Sequence, residues 1–275
     1  MEFAVYESLM PELPEVESYV RALRKAYAGK IISRIVFHRD NIRNILDKKA
    51  LRNVFEGRVL NDIVRDGKRL VFMTENGEVL ISLGMSGSFS PAHTSPLKHE
   101  HITLHFWGGS ALGYVDPRRF GSWELRKGAL PHRADPMSSP SLKKLFASER
   151  FAKSTRTIKD ALLDQREIGG IGNIYALEAL HLSGVNPHRS VVSITNTEFA
   201  SLAKTIPKVL TQAINKGGST ISTYRRLHGD SGDFQELHRV YDRAGERCRK
   251  RGCSGTIIRT KQSGRSSWHC GVCQK

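Results

Sequence analysis

The 275-residue sequence has no apolar run long enough to cross a membrane, which excludes a transmembrane helix. Its first nine residues, MEFAVYESL, contain two acids and no basic n-region, so no secretory signal is read there and a cytoplasmic protein is expected. Cysteine is missing from everything before residue 248. All four, Cys248, Cys253, Cys270 and Cys273, lie in the last 28 residues, and in a reducing compartment that clustering favours a metal over disulfides. Acidic residues are scarce as well. The 27 Asp and Glu face 43 Lys and Arg, for a net charge of +16 and a pI near 9.9. A chain this basic points to a polyanion, with nucleic acid the leading candidate. There is no internal repeat and no low-complexity tract. The hydrophobic content of 39% suffices for a real core, and the length for two modest domains plus a small appendage.

The pattern along the chain falls into blocks. Val16, Tyr19, Val20, Leu23 and Tyr27 recur at helical spacing, which predicts an amphipathic helix over 14–30 with Gly29 placed to stop it. A region of β character follows, to about residue 135. Leu70–Thr74 and Val79–Leu83 flank Asn76-Gly77, and Ile102–Trp107 and Ala111–Val115 flank Gly108-Gly109; both read as hairpins. The Pro- and Ser-rich stretch 131–140 reads as a linker. Helices are then predicted over 142–147, 157–165, 174–182 and 197–216, with Gly217-Gly218 closing the last. The polar, aperiodic stretch 219–233 is long for a loop, and loops of that length are usually functional or mobile.

Cys248-x4-Cys253-x16-Cys270-x2-Cys273 fits a closed, structural four-thiolate zinc site on a hairpin with strands 256–260 and 267–270. Arg243, Arg247, Arg249, Lys250, Arg251, Arg259, Lys261 and Arg265 make this module suited to DNA phosphate. Leu83-Gly84-Met85-Ser86-Gly87-Ser88 presents a methionine in a glycine turn, and Asp116-Pro117-Arg118-Arg119-Phe120-Gly121 adds cations and an aromatic. Together they supply what is needed to enter a duplex and fill the gap left by an extruded base. Ile168-Gly169-Gly170-Ile171-Gly172-Asn173 lacks the spacing of a dinucleotide fingerprint. It reads as a helix start that can hold a phosphate, or as a plain helix–helix turn. Pro11-Glu12 has two readings also. It starts a helix, with Glu15 and Glu17 complementing the dipole. If Pro11 is N-terminal, its nitrogen is a secondary amine able to attack a sugar carbon, with a carboxylate beside it to move protons. Inside a chain the same nitrogen is an amide and not a nucleophile.

In order and spacing, MPELPEVE, DGKRL, LGMSGS, KHEH, DPRRFG, GGIGNIYALEAL, the Gly217-Gly218 loop and GRSSWHCGVCQK resemble the bacterial formamidopyrimidine-DNA glycosylases, the Fpg/Nei family, over residues 10–275. The resemblance implies an α+β multidomain chain. Residues 1–9 would be an extension absent from the working enzyme. Residues 10–135 would form an N-terminal antiparallel β-sandwich with flanking helices, 136–238 a helix–two-turn–helix domain with a lesion-capping loop at 219–233, and 239–275 a zinc-finger β-hairpin. The implied activity is a bifunctional glycosylase/AP lyase of base-excision repair that excises 8-oxoguanine and formamidopyrimidines through a proline Schiff base and nicks by β,δ-elimination. Two alternatives stay open: a non-catalytic damaged-DNA binder if residues 1–9 are retained, and an oxidised-pyrimidine glycosylase. Pro11 would be the nucleophile, Glu12 the acid/base, Lys68 a phosphate contact assisting β-elimination, and Arg265 a phosphate grip promoting δ-elimination. Met85, Arg118 and Phe120 would fill the void; His99, Lys153 and Asn173 would bind phosphates; Thr220, Tyr224 and Arg225 would belong to the capping loop. One structural Zn2+ on the four cysteines, damaged double-stranded DNA as partner, a monomer, and no membrane or nucleotide cofactor complete the expectation. The sequence departs from the family in the x4 first cysteine pair, where x2 is usual, and in Asp242, where glycine is common. Aspartate tolerates positive φ better than most residues if that position needs it.

Overall fold

The computed structural model describes residues 10–91, 95–129, 132–219 and 232–275. Two compact units divide the chain, Leu9–Leu130 with Gly217–Gly232 and Pro131–Lys216 with Asp233–Lys275.

The first unit begins with helix α1 (Leu13–Tyr27), whose buried stripe is Val16, Tyr19, Val20, Leu23 and Tyr27. Each such side chain contributes about 1.5–3 kcal/mol by leaving water. Gly29 follows at φ +82. Among the described residues, nine strands form two antiparallel sheets. Strands β1 (Ile31–Phe37), β2 (Arg58–Val59), β6 (Ser88–Pro91), β7 (Glu100–Phe106) and β8 (Ala111–Val115) take the order β2-β1-β7-β8-β6. Strands β3 (Asp62–Asp66), β4 (Arg69–Thr74), β5 (Gly77–Ser82) and β9 (Ser122–Leu125) run in sequence. Their inner faces share one core. Phe72 stacks on Phe89 at 5.6 Å and Tyr114 meets Trp123 edge-on at 5.5 Å, so the two sheets are the layers of a sandwich.

Two local features of this unit differ from the sequence reading. A helix, α2 (Lys48–Phe55), interrupts the β region, started by the Asp47 carboxylate, which accepts from Ala50 N–H. The β4–β5 hairpin turns on Glu75-Asn76, because Gly77 at φ +145 already pairs with Thr74.

The second unit holds α3 (Ser139–Phe146), α4 (Glu149–Ala152), α5 (Ile158–Leu163), α6 (Asn173–Ser183) and α7 (Asn196–Asn215). Ser138, Thr157 and Thr195 cap α3, α5 and α7 through their hydroxyls. Helix α6 has a buried face all round, including Glu178 and His181. The unit ends in a hairpin of β10 (Ile257–Gln262) and β11 (Arg265–Cys270). Its turn, Ser263-Gly264, has both residues at positive φ, the two-residue turn that matches strand twist. Asp242 sits at φ +56, as its tolerance for that region allows. Among the described residues, no helix is long and apolar enough to cross a membrane.

Candidate active site and metal centre

In the first unit, three pieces of chain are tied to the start of α1. Pro11 and Glu12, both buried, lead into the helix, and Glu12 N–H donates to Glu15 Oε2 at 2.9 Å. The other oxygen of Glu15 accepts from Ser219 N–H at 2.7 Å. Gly218, at φ +82, lies so close to Glu15 that a Cβ would come within 2.6 Å of its carboxylate. The base of the segment 220–231 is therefore fixed to the first turn of α1. Thr220, Tyr224 and Arg225 themselves lie outside the described residues. Lys68 occupies the two-residue turn Gly67-Lys68 between β3 and β4. Glu17 pairs with Arg65 at 3.0 Å, and Arg65 donates to Gly67 O at 3.2 Å, so that turn is braced to α1 too. Sequence reasoning assigned Glu15 and Glu17 to the helix dipole only. In the fold they also hold two other loops.

A second group gathers around Asp116, which is fully buried. Its Oδ1 accepts from Ser86 Oγ at 2.5 Å; its Oδ2 accepts from Gly121 N–H at 2.8 Å and from Tyr114 OH at 3.3 Å. Ser86 Oγ in turn accepts from Arg118 N–H at 3.1 Å. Asp116 N–H donates to His99 O, and its carbonyl lies 2.8 Å from the His101 ring. One carboxylate thus fixes the Met85 turn and the 118–121 loop, while its backbone holds His99, which adopts φ +66 and is exposed. Gly84, at φ +59, lets the two loops touch: a Cβ there would lie 2.4 Å from the Phe120 backbone. The Arg118 guanidinium covers the half-exposed Phe120 ring at 4.8 Å. Met85 differs from expectation. It is 9% exposed, not displayed on the glycine turn, because an apolar side chain gains by leaving water.

Asp116→Asn exchanges one acceptor oxygen for a donor facing donors. It is expected to cost about 1–3 kcal/mol. Thermal unfolding reads this out, and an unchanged midpoint would show that the carboxylate does not hold these loops.

In the second unit, Asn173 opens α6 and is 4% exposed. Its Nδ2 donates to Ser266 O at 3.1 Å, beside Arg265 at the first position of β11. The same carbonyl accepts from Lys159 Nζ at 3.2 Å, which also donates to Ser267 Oγ at 2.6 Å. Burial pushes the Lys159 ammonium down to about 8, helped by the charge of Arg265 and opposed by Asp160. Lys159 was missed from sequence. The available signal was a lysine among the buried positions Ile158, Ala161 and Leu162 of a short helix. Lys153 is exposed and paired with Glu149 at 2.6 Å. The neighbouring Arg156 is engaged by Asp164 at 2.9 Å. The lysine gathered with Asn173 and Arg265 is Lys159.

The four cysteine sulfurs lie within 4.8 Å of one another. Cys248 and Cys273 are 3.7 Å apart and Cys253 and Cys270 3.6 Å, far beyond a disulfide bond. A tetrahedral metal with bonds of about 2.3 Å to sulfur spaces its ligands at about 3.8 Å, so the cluster fits one ion. Burial and the neighbouring sulfurs push the Cys273 thiol far above its ordinary range. Four thiolates at this spacing therefore need a cation. The x4 spacing leaves both knuckle cysteines in the cluster.

Residues 10–123 match the formamidopyrimidine-DNA glycosylase N-terminal domain, and residues 133–225 match the H2TH domain of the same enzymes. The chain belongs to the formamidopyrimidine-DNA glycosylase family. Family members of that name from Gluconobacter oxydans and Ruegeria sp. are 39% and 37% identical, each aligned over its whole length to 97% of this chain. Among solved family structures, the Lactococcus lactis Fpg bound to DNA with an abasic site is 31% identical, with a TM-score of 0.83 over 96% of this chain and 99% of that one. The MutM (Fpg) protein from Thermus thermophilus is 36% identical, with a TM-score of 0.82 over 96% and 98%.

Proposed function

We propose that this chain is a bifunctional DNA glycosylase/AP lyase of base-excision repair, directed to 8-oxoguanine and formamidopyrimidines in duplex DNA. The observation behind this reading is the arrangement at α1. Glu15 and the Glu17–Arg65 pair bring the Lys68 turn and the base of the 220–231 segment to the helix that Pro11 and Glu12 open. A nucleophile, an acid/base, a cation and a loop base held on one rigid element suit a reaction on a flipped nucleotide.

The chemistry runs in four steps. The Pro11 nitrogen, as a terminal secondary amine, attacks the deoxyribose C1′; the glycosidic bond breaks and the base leaves with its electron pair. Glu12 supplies and removes the protons of sugar opening. The resulting iminium acidifies the C2′ proton, whose loss expels the 3′ phosphate; a second elimination expels the 5′ phosphate. Lys68 and Arg265 hold the departing phosphates. Arg118 and Phe120, joined by Met85 when it leaves its buried position, fill the vacated stack. His99, Asn173 and Lys153 bind backbone phosphates, with Lys159 bracing the hairpin beside Arg265. The capping residues are Thr220, Tyr224 and Arg225. Cys248, Cys253, Cys270 and Cys273 hold one structural Zn2+, which supplies no step of the reaction. The protein acts as a cytoplasmic monomer.

Borohydride trapping on an 8-oxoguanine duplex tests the assignment. A covalent adduct is expected with the form that begins at Pro11, and a thymine-glycol duplex is expected to trap less. The absence of an adduct with that form would overturn the mechanism; stronger trapping on thymine glycol would make the enzyme pyrimidine-directed. Arg265→Ala is expected to weaken binding about tenfold, reduce the salt slope by about one, and slow the last elimination while sparing base release. Equal loss of every step would refute a separate role for Arg265.

A further inference from the structure

Helix α6 meets the cysteine hairpin and the strap before it at three heights. At its start, Asn173 donates to Ser266 O. At its middle, the buried Glu178 carboxylate accepts the backbone N–H groups of Arg239, Val240 and Tyr241 at 2.8, 3.0 and 2.9 Å. Near its end, His181 Nε2 lies 3.2 Å from Cys248 Sγ and 3.9 Å from Cys273 Sγ. His181 is 1% exposed, and its Nδ1 has no hydrogen-bond partner among the described residues. Two sulfurs also receive backbone donors from within the knuckle, Lys250 N–H on Cys248 and Gly255 N–H on Cys253, each at 3.4 Å. His181 reaches Cys248 from 67 positions away in the chain.

A metal-bound thiolate can only accept. A neutral imidazole has one N–H and one lone pair. With the proton on Nδ1, a lone pair would face the sulfurs and a buried N–H would have no acceptor. With the proton on Nε2, the ring donates to Cys248 and leaves only an acceptor unmatched. Donors to ligating atoms orient a metal's ligands and tune its hold on them.

We propose that His181 is an outer partner of the zinc centre, a positioning residue whose Nε2–H donates to the Cys248 thiolate with Cys273 as its second neighbour. It draws charge from a four-thiolate site and ties the metal to the helix whose first residue braces the strand beside Arg265. This rests on the reading that the four cysteines hold zinc.

The test follows zinc transfer from the full chain to excess chromophoric chelator, without DNA. Wild type, His181→Phe and His181→Gln are compared after counting zinc per chain. His181→Phe fills the space without a donor and is expected to lose zinc about 10- to 100-fold faster. His181→Gln offers an amide N–H and is expected to stay near the wild-type rate. Wild-type release from His181→Phe, or release from His181→Gln as fast as from His181→Phe, would overturn the proposal. If His181→Phe holds no zinc, retention by His181→Gln supports the donor role and loss from both overturns it. Proton–nitrogen correlation spectra of the zinc-loaded wild type should show the Nε2–H tautomer; Nδ1–H would overturn the proposal by itself. A wild type that holds no zinc would instead remove the zinc reading, and this inference with it.

Discussion

Replacing Pro11 with glycine, or leaving any residue attached before it, is expected to lower base excision by about 10³-fold or more. The two changes act differently on one atom. A preceding residue turns the Pro11 nitrogen into an amide whose lone pair is delocalised into the carbonyl. Glycine at the terminus keeps an amine but makes it primary and unconstrained, at a position where proline is buried at the entry to α1. Intact-mass measurement identifies the starting residue, and single-turnover excision with borohydride trapping reads the chemistry. A chain retaining Met1 that still traps an 8-oxoguanine duplex at the rate of the Pro11 form would rule out this nucleophile. Duplex binding without trapping is the expected behaviour of the unprocessed chain, because the loops around Asp116 and the hairpin beside Asn173 do not depend on that amine.

Removing the metal, by chelation or by Cys270→Ser, is expected to unfold the cysteine hairpin and weaken binding to abasic duplex at least about 100-fold. A two-stranded hairpin is marginal in water by itself. Its own apolar support is small: Ile257 and Trp268 are buried, with the Tyr241 ring tilted against Trp268 at 4.4 Å. Structural zinc contributes about 10–16 kcal/mol to sites of this kind. Without it the register that sets Ser266 against Asn173 and Lys159 is lost, and with it the placement of Arg265. Two charge-assisted phosphate contacts are worth about 3–6 kcal/mol together, which is the source of the expected loss. Limited proteolysis of the hairpin and fluorescence anisotropy on the duplex measure the two effects. Metal-free protein with an intact hairpin and unchanged affinity would contradict the structural role.

Much of the fold was legible because it is written in local periodicity and residue type. The helical stripe of α1, the hairpins at 70–83 and 102–115, the longer of the later helices and the four-cysteine spacing each follow from a short window. At Asp242 the sequence told only that a positive φ would be tolerated, and the fold adopts one. Helix α2 was hidden, since eight residues with three buried positions give too little period to stand out from neighbouring strands. Met85 was misjudged because exposure depends on what surrounds a turn, and a turn motif does not state its surroundings.

What the sequence by itself determined is the inventory: a basic chain, an amphipathic helix entered by Pro11 and Glu12, strands paired in antiparallel hairpins, and soft ligands spaced for one metal. Those are consequences of backbone period, side-chain charge and ligand type. Tertiary structure alone decided which groups act together. Glu15 reaches Ser219 across 204 positions, Lys159 reaches Ser267 across 108, and Asp116 joins loops 30 positions apart. The reason is physical. A buried hydrogen bond is satisfied by whatever donor the packed core delivers, and the core is assembled from side chains that are not neighbours in the chain.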